Sequence, residues 1–173
     1  MYRAERLIWK HGEKFQTVGE MQVYVDKVMS SAWFKRRWPY VARGGITVLD
    51  GRGRRSACAQ DLWGVGMAIK MPTWSRSEPV ILHEIAHHCA DEIHGSNAPG
   101  HGWGFTSTFL ELITHEMGPD VGDELKQSFK EHNVRFRAPR AKRKLTEEQR
   151  EVLRERMAVA RAAKAARLDS VEV

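Results

Sequence analysis

Apolar residues recur every three to four positions between residues 17 and 33, at Met21, Val25, Val28, Met29 and Trp33, which predicts a helix with one buried face. Trp38-Pro39 is expected to end it, because a proline disfavours helix in the residue before it. The period then shortens. Residues 45–50 (GITVLD) form a β-branched run, Gly51-Arg52-Gly53 reads as a turn, and residues 54–60 and 64–71 read as two more short strands. Helical spacing returns at Ser77-Glu78-Pro79, where Ser77 is expected to cap, Glu78 suits the positive end of the helix dipole and Pro79 is tolerated in the first turn. That helix carries VILHEIAHHCADEI and is expected to stop at Gly95. Two further helices are predicted over 105–117, with Phe105, Phe109, Leu112 and Ile113 on one face, and over 120–132. A basic stretch with one proline, NVRFRAPRAKRK, follows over 133–144. Thr146 and Gln149 then have the spacing of a capping box, opening an alanine- and arginine-rich helix that reaches about Leu168.

Helix, then short strands, then helices is the order of an α+β fold: a small sheet backed by helices, with the 78–94 helix beneath it. Two regions are expected, a globular domain over 1–132 and a basic linker with a C-terminal helix over 133–173. Charge supports the division. Residues 1–132 hold 16 basic and 16 acidic side chains, whereas 133–173 hold 12 and 6, so the net charge of +6 lies wholly in the second region. Arg135, Arg137, Arg140, Lys142, Arg143 and Lys144 could neutralise phosphates, which makes nucleic acid a candidate partner; the plainer alternative is a solvated linker and a helix that packs on the core or a partner. With 42% hydrophobic and 29% charged residues the chain has ordinary globular composition, unlike collagen or a disordered polymer. No apolar run approaches the roughly 18 residues of a membrane span, and no secretory leader is legible at the N-terminus, so a cytoplasmic location is expected. Cys58 and Cys89 form no CxxC pair and are expected to be reduced, buried thiols.

The chemistry concentrates in His83-Glu84-Ile85-Ala86-His87. On a helix, positions four apart share a face, so His83 and His87 can offer imidazoles to one ion. Glu84 points to the side, where its carboxylate can reach a water on that ion without becoming a ligand. Zinc lowers the pKa of such a water from about 15.7 toward 7, and a neighbouring carboxylate can take its proton and later return it to a leaving group. The composition would place an HExxH pattern by chance roughly 0.03 times per chain, which favours a metal site over two unrelated histidines. Catalytic zinc normally takes three protein ligands and an open position. The metzincin extension fails, with Ala90 and Ile93 where its glycine and histidine belong, and His94 falls one residue late. His101, offered after the turn-forming Gly95, Pro99 and Gly100, is the first candidate, and Glu111 on the next helix is the rival. His88 points about 100° away from His87 and is not expected to ligate.

HEIAHH followed by His101-Gly102-Trp103-Gly104-Phe105 resembles the HExxH…HGxxF pattern of SprT/Spartan-like metalloproteases. Residues 46–112 also resemble a family of small zincin-like metallohydrolases of actinobacteria and their phages. The resemblance covers about half the chain. It implies a minimal zincin-like domain, zinc as cofactor, His101 as the third ligand and a protein or peptide substrate; if the chain is phage-encoded, it would act in the host cytoplasm. It further implies that the strand before the metal helix, residues 64–71, is a sheet edge that pairs with an extended substrate; the imperfect alternation of GVGMAIKM leaves a plain core strand as the alternative. The chain departs from SprT-like proteins in carrying a basic helix where they carry a cysteine-rich zinc ribbon. The ligand set leaves two other readings open, hydrolysis of a non-peptide bond and a nucleic-acid-binding or regulatory module with structural zinc. An intact Glu84 speaks against the last.

Overall fold

In a computed structural model, which describes residues 1–62, 64, 66–97, 99–139 and 146–169, the chain opens with a short helix α1 (Tyr2–Glu5) that runs into a 3-10 turn (Arg6–Lys10). Helix α2 (Val18–Ser30) is capped by Thr17, whose hydroxyl accepts from the Glu20 N–H at 3.1 Å. The single helix expected over 17–33 breaks at Ser31. Its extended backbone and its hydroxyl, which accepts from the Phe34 N–H, start a new helix α3 (Ala32–Arg37). Pro39 ends α3 as expected but also opens a helix of its own, α4 (Pro39–Gly44), because proline's fixed φ suits a first turn. These turns bury Phe34, Trp38 and Val41.

The sheet has three strands: β1 (Thr47–Asp50), β2 (Cys58–Leu62) and β3 (Gly66–Met71), in the order β1-β3-β2. β3 pairs with β1 in parallel, with Val48 opposite Ile69, and with β2 antiparallel, with Ala59 opposite Ile69. β3 is therefore the central strand, so the expected substrate-facing edge is corrected and the core-strand alternative holds. Its Ala68, Ile69 and Met71 are all buried, so both faces are covered, and a strand of that composition gains most by taking the middle. The edges are β1 and β2. Gln22 of α2 occupies the outer edge of β1, donating to the Ile46 carbonyl at 2.9 Å and accepting from the Val48 N–H at 2.7 Å.

Helix α5 (Glu78–His94) packs beneath the sheet with Ile81, Leu82, Ile85, Ala86 and Cys89 fully buried. Ser77 stands at its N-cap, yet its side chain makes no capping bond. Backbone bonds from an earlier segment hold the start instead: the Glu78 N–H donates to the Glu13 carbonyl and the Phe15 N–H to the Arg76 carbonyl, each at 2.9 Å. Gly95, at φ 79°, ends the helix in a conformation that a side chain would resist. Helices α6 (Trp103–Glu116) and α7 (Pro119–Glu131) close the core with Phe109, Leu112, Leu125 and Phe129.

The first compact unit ends at Ala138, six residues beyond the expected boundary at 132, and the second spans Pro139–Val173. Val134 and Phe136 are partly buried against the core, the Val134 N–H donates to the Phe129 carbonyl at 2.7 Å, and Thr106 donates to the Arg135 carbonyl. Residues 133–138 thus belong to the globular body despite their basic composition. In the second unit, helix α8 (Glu147–Asp169) opens with the expected capping box: Gln149 N–H to Thr146 Oγ1 at 3.3 Å and Thr146 N–H to Gln149 Oε1 at 3.2 Å. Among the described residues no helix is long and apolar enough to cross a membrane.

A chain cut after His132 loses the Phe136 and Val134 packing and is expected to be about 2–3 kcal/mol less stable, measured by urea unfolding.

Candidate metal centre

His83 and His87 stand one turn apart on α5, and His101 arrives from the turn before α6, which the Gly102 N–H closes on the Pro99 carbonyl at 2.8 Å. One ring nitrogen from each lies within 4.8 Å of the others, and the Nε2 atoms of His83 and His101 are 3.3 Å apart. Two nitrogens each about 2.0–2.1 Å from a tetrahedral zinc would stand about 3.3 Å apart, so the donor set and this spacing fit such an ion. His83 is buried, His87 half-buried and His101 exposed, which leaves one side of the triad open.

The triad rests on Phe105. Its buried ring lies 4.9, 4.3 and 4.9 Å from the imidazole centroids of His83, His87 and His101. Gly104 is part of the same fit: a Cβ there would come within 2.5 Å of the His94 ring, which packs on Trp103. Tyr2 of α1 covers another side, its ring 5.9 Å from His83 and 5.2 Å from His101, while the residue stays 58% exposed. Burial and the carboxylates of Glu5 and Glu84 push its phenol upward, so it is a proton-bearing donor at neutral pH.

Burial pushes the Glu84 carboxyl upward as well, against the pull of His83 and of the Ala59 backbone N–H. Glu84 lines a cleft of about 360 Å³ together with His83, His87, Tyr2, Asp91 and strand β2 from Cys58 to Asp61. Two side chains that sequence reasoning passed over therefore belong to the site, Tyr2 and Glu5. The Glu5 carboxylate is 2% exposed and lies 3.0 Å from His83 Nδ1. They are 81 and 78 positions from His83, a separation that no local periodicity could register.

The remaining candidates fall elsewhere. Glu111 forms a two-pronged pair with Arg37, at 2.8 and 3.1 Å, and takes no part in the triad. His88 is outside the triad as expected: buried, its Nε2 meets the Ala68 carbonyl at 3.2 Å and ties α5 to β3, and the residue also lines the cleft beside Glu84. Cys89 is fully buried, and burial raises its thiol, while Cys58 is half-buried; neither is in a disulfide. Arg135 and Arg137 are exposed on the first unit, whereas Arg140, Lys142, Arg143 and Lys144 lie outside the described residues. Comparison of the chain with protein-family models, with curated proteins and with solved structures returned no match.

His101→Ala is expected to abolish stoichiometric zinc binding, and Glu111→Ala to preserve it, by metal analysis of the purified proteins. A pH effect follows from His87, whose imidazole is pushed down to about 3 by burial and by its histidine neighbours. Below about 6.5 the unfolded chain takes up a proton on this ring that the folded metal-free chain refuses until near 3. Stability from this group is therefore complete above 6.5 and falls by up to about 1.4 kcal/mol per pH unit beneath it. In EDTA, His87→Gln should flatten the decline of urea-unfolding stability between pH 6.5 and 5.

Proposed function

We propose that the chain is a zincin-like zinc hydrolase that cleaves peptide bonds, with His83, His87 and His101 holding the metal and Glu84 acting as general base. The observation that carries this reading is the placement of a buried carboxylate beside an open histidine triad, in a cleft roofed by an edge strand. A zinc ion held there supplies a Lewis acid and a source of acidified water. The protein's own groups account for the rest. The raised carboxyl of Glu84 suits it to accept a proton from attacking water and to return that proton to a leaving amine.

Peptide is favoured over other substrates by β2. β1 is covered by Gln22, while β2 lines the cleft and pairs only with β3 among the described strands. Its outer backbone groups suit an extended chain laid along the cleft, an arrangement that holds peptides with little regard to their sequence. The HEIAHH…HGWGF resemblance to SprT-like proteases supports the same reading. A structural zinc site would have no use for a buried general base at its open side.

Glu84→Gln is expected to keep zinc and the melting temperature while lowering hydrolysis by about 10²–10⁴. The assay is mass-spectrometric reading of cuts in a mixed peptide library digested by the zinc-loaded wild type and the variant. Cuts that persist at equal rate in Glu84→Gln would remove the proposed role.

A further inference from the structure

We infer that Glu5 is a positioning residue of the metal centre, which holds the His83 imidazole in the tautomer that presents Nε2 to the ion. The inference rests on the metal reading above. A carboxylate only accepts hydrogen bonds, so at 3.0 Å from Glu5 Oε2 the His83 Nδ1 must carry the proton. A neutral ring then has its lone pair on Nε2, the atom that faces His101 at 3.3 Å. Without an acceptor at Nδ1 the imidazole is free to carry its proton on Nε2, where it would block the ligand position.

The surroundings of Glu5 point to a use beyond packing. The residue is 2% exposed, and its second oxygen, Oε1, is buried without a hydrogen-bond partner. A carboxyl buried with one oxygen unpaired costs folding free energy and offers it little in return, since an apolar side chain there would leave no polar atom without a partner. Its location is set by other contacts. Ala4, next to it, is fully buried, and the Ala4 carbonyl accepts from the Ser128 hydroxyl of α7 at 2.9 Å. Ile8, one turn on, is also fully buried. The backbone of α1 is thus anchored on α7, and the carboxylate is delivered to His83 rather than drawn there by it. A carboxylate behind a ligating histidine also makes that ligand more basic, and removing such a partner typically weakens metal binding 10- to 100-fold.

The test uses the full chain as wild type, Glu5→Gln and Glu5→Leu. Nitrogen-15 NMR of the metal-free proteins reads the His83 tautomer, chelator competition reads zinc affinity, and thermal melting of the metal-free proteins reads the fold. The wild type should show the Nδ1–H tautomer. Glu5→Leu should shift His83 toward Nε2–H and raise the zinc Kd by up to about 100-fold. Glu5→Gln keeps an acceptor oxygen without the charge, so it should keep the tautomer and raise Kd about 10-fold. Melting of metal-free Glu5→Gln, which keeps an acceptor for the His83 ring, should equal or exceed the wild type, which a merely structural carboxylate would not allow. Wild-type His83 in the Nε2–H form, or zinc bound by Glu5→Leu within twofold of the wild-type Kd, would overturn the role of Glu5 while leaving the metal reading intact. Should Glu5→Leu fail to fold, the wild-type tautomer decides alone. A wild type that binds no zinc would instead overturn the metal reading, and this role with it.

Discussion

Helix α5 is buried on nearly every side, and most of the site follows from that constraint. Ile81, Leu82, Ile85, Ala86 and Cys89 have no exposed surface, and they point around more than one face of the helix. A helix so enclosed has little solvent to offer its polar residues, and each buried one needs a partner or a task. His88 donates to a carbonyl of the central strand, His83 donates to Glu5, and Glu84 faces a cleft roofed by β2. His87 is left half-buried, with desolvation holding its imidazole neutral, the form in which it can bind a metal.

The same enclosure explains why histidines from separate parts of the chain meet with little slack. Phe105 contacts all three imidazoles, so the turn that delivers His101 and the first turn of α6 are packed as one object against α5. Gly95 reverses the chain and Gly104 admits the His94 ring. A side chain at Gly104 would have to displace the His94 ring from its place on Trp103. Since close-packed interiors transmit such displacements, the triad's spacing is a property of this packing and not of the loop alone.

Sheet topology sets what can approach the site. A three-stranded sheet has two edges, and exposed edges invite pairing. Gln22 closes one by offering its side-chain amide as a substitute for a strand. The other, which pairs only with β3 among the described strands, lines the cleft beside Glu84. The basic segment is divided by the packing of Phe136: Arg135 and Arg137 ride on the globular unit, and the rest of the charge excess belongs to the second. Charge alone marked the boundary at 132, because it could not register a buried aromatic within a basic stretch.

Much of the site was legible in the sequence because it is local. The i, i+4 histidines, the adjacent glutamate, the glycine that ends the helix and the histidine after the turn all lie within 19 residues, where helical geometry and turn chemistry restrict what the chain can do. The α+β order was legible for the same reason, from the change of hydrophobic period. Tertiary structure alone decided between His101 and Glu111, since both were within reach along the chain and only packing set Glu111 against Arg37. It also decided that β3 lies inside the sheet, because strand order depends on which faces find cover, and that α1 reaches the histidines. A buried carboxylate and the ring it orients can be 78 residues apart, joined by a hydrogen bond that no periodicity encodes.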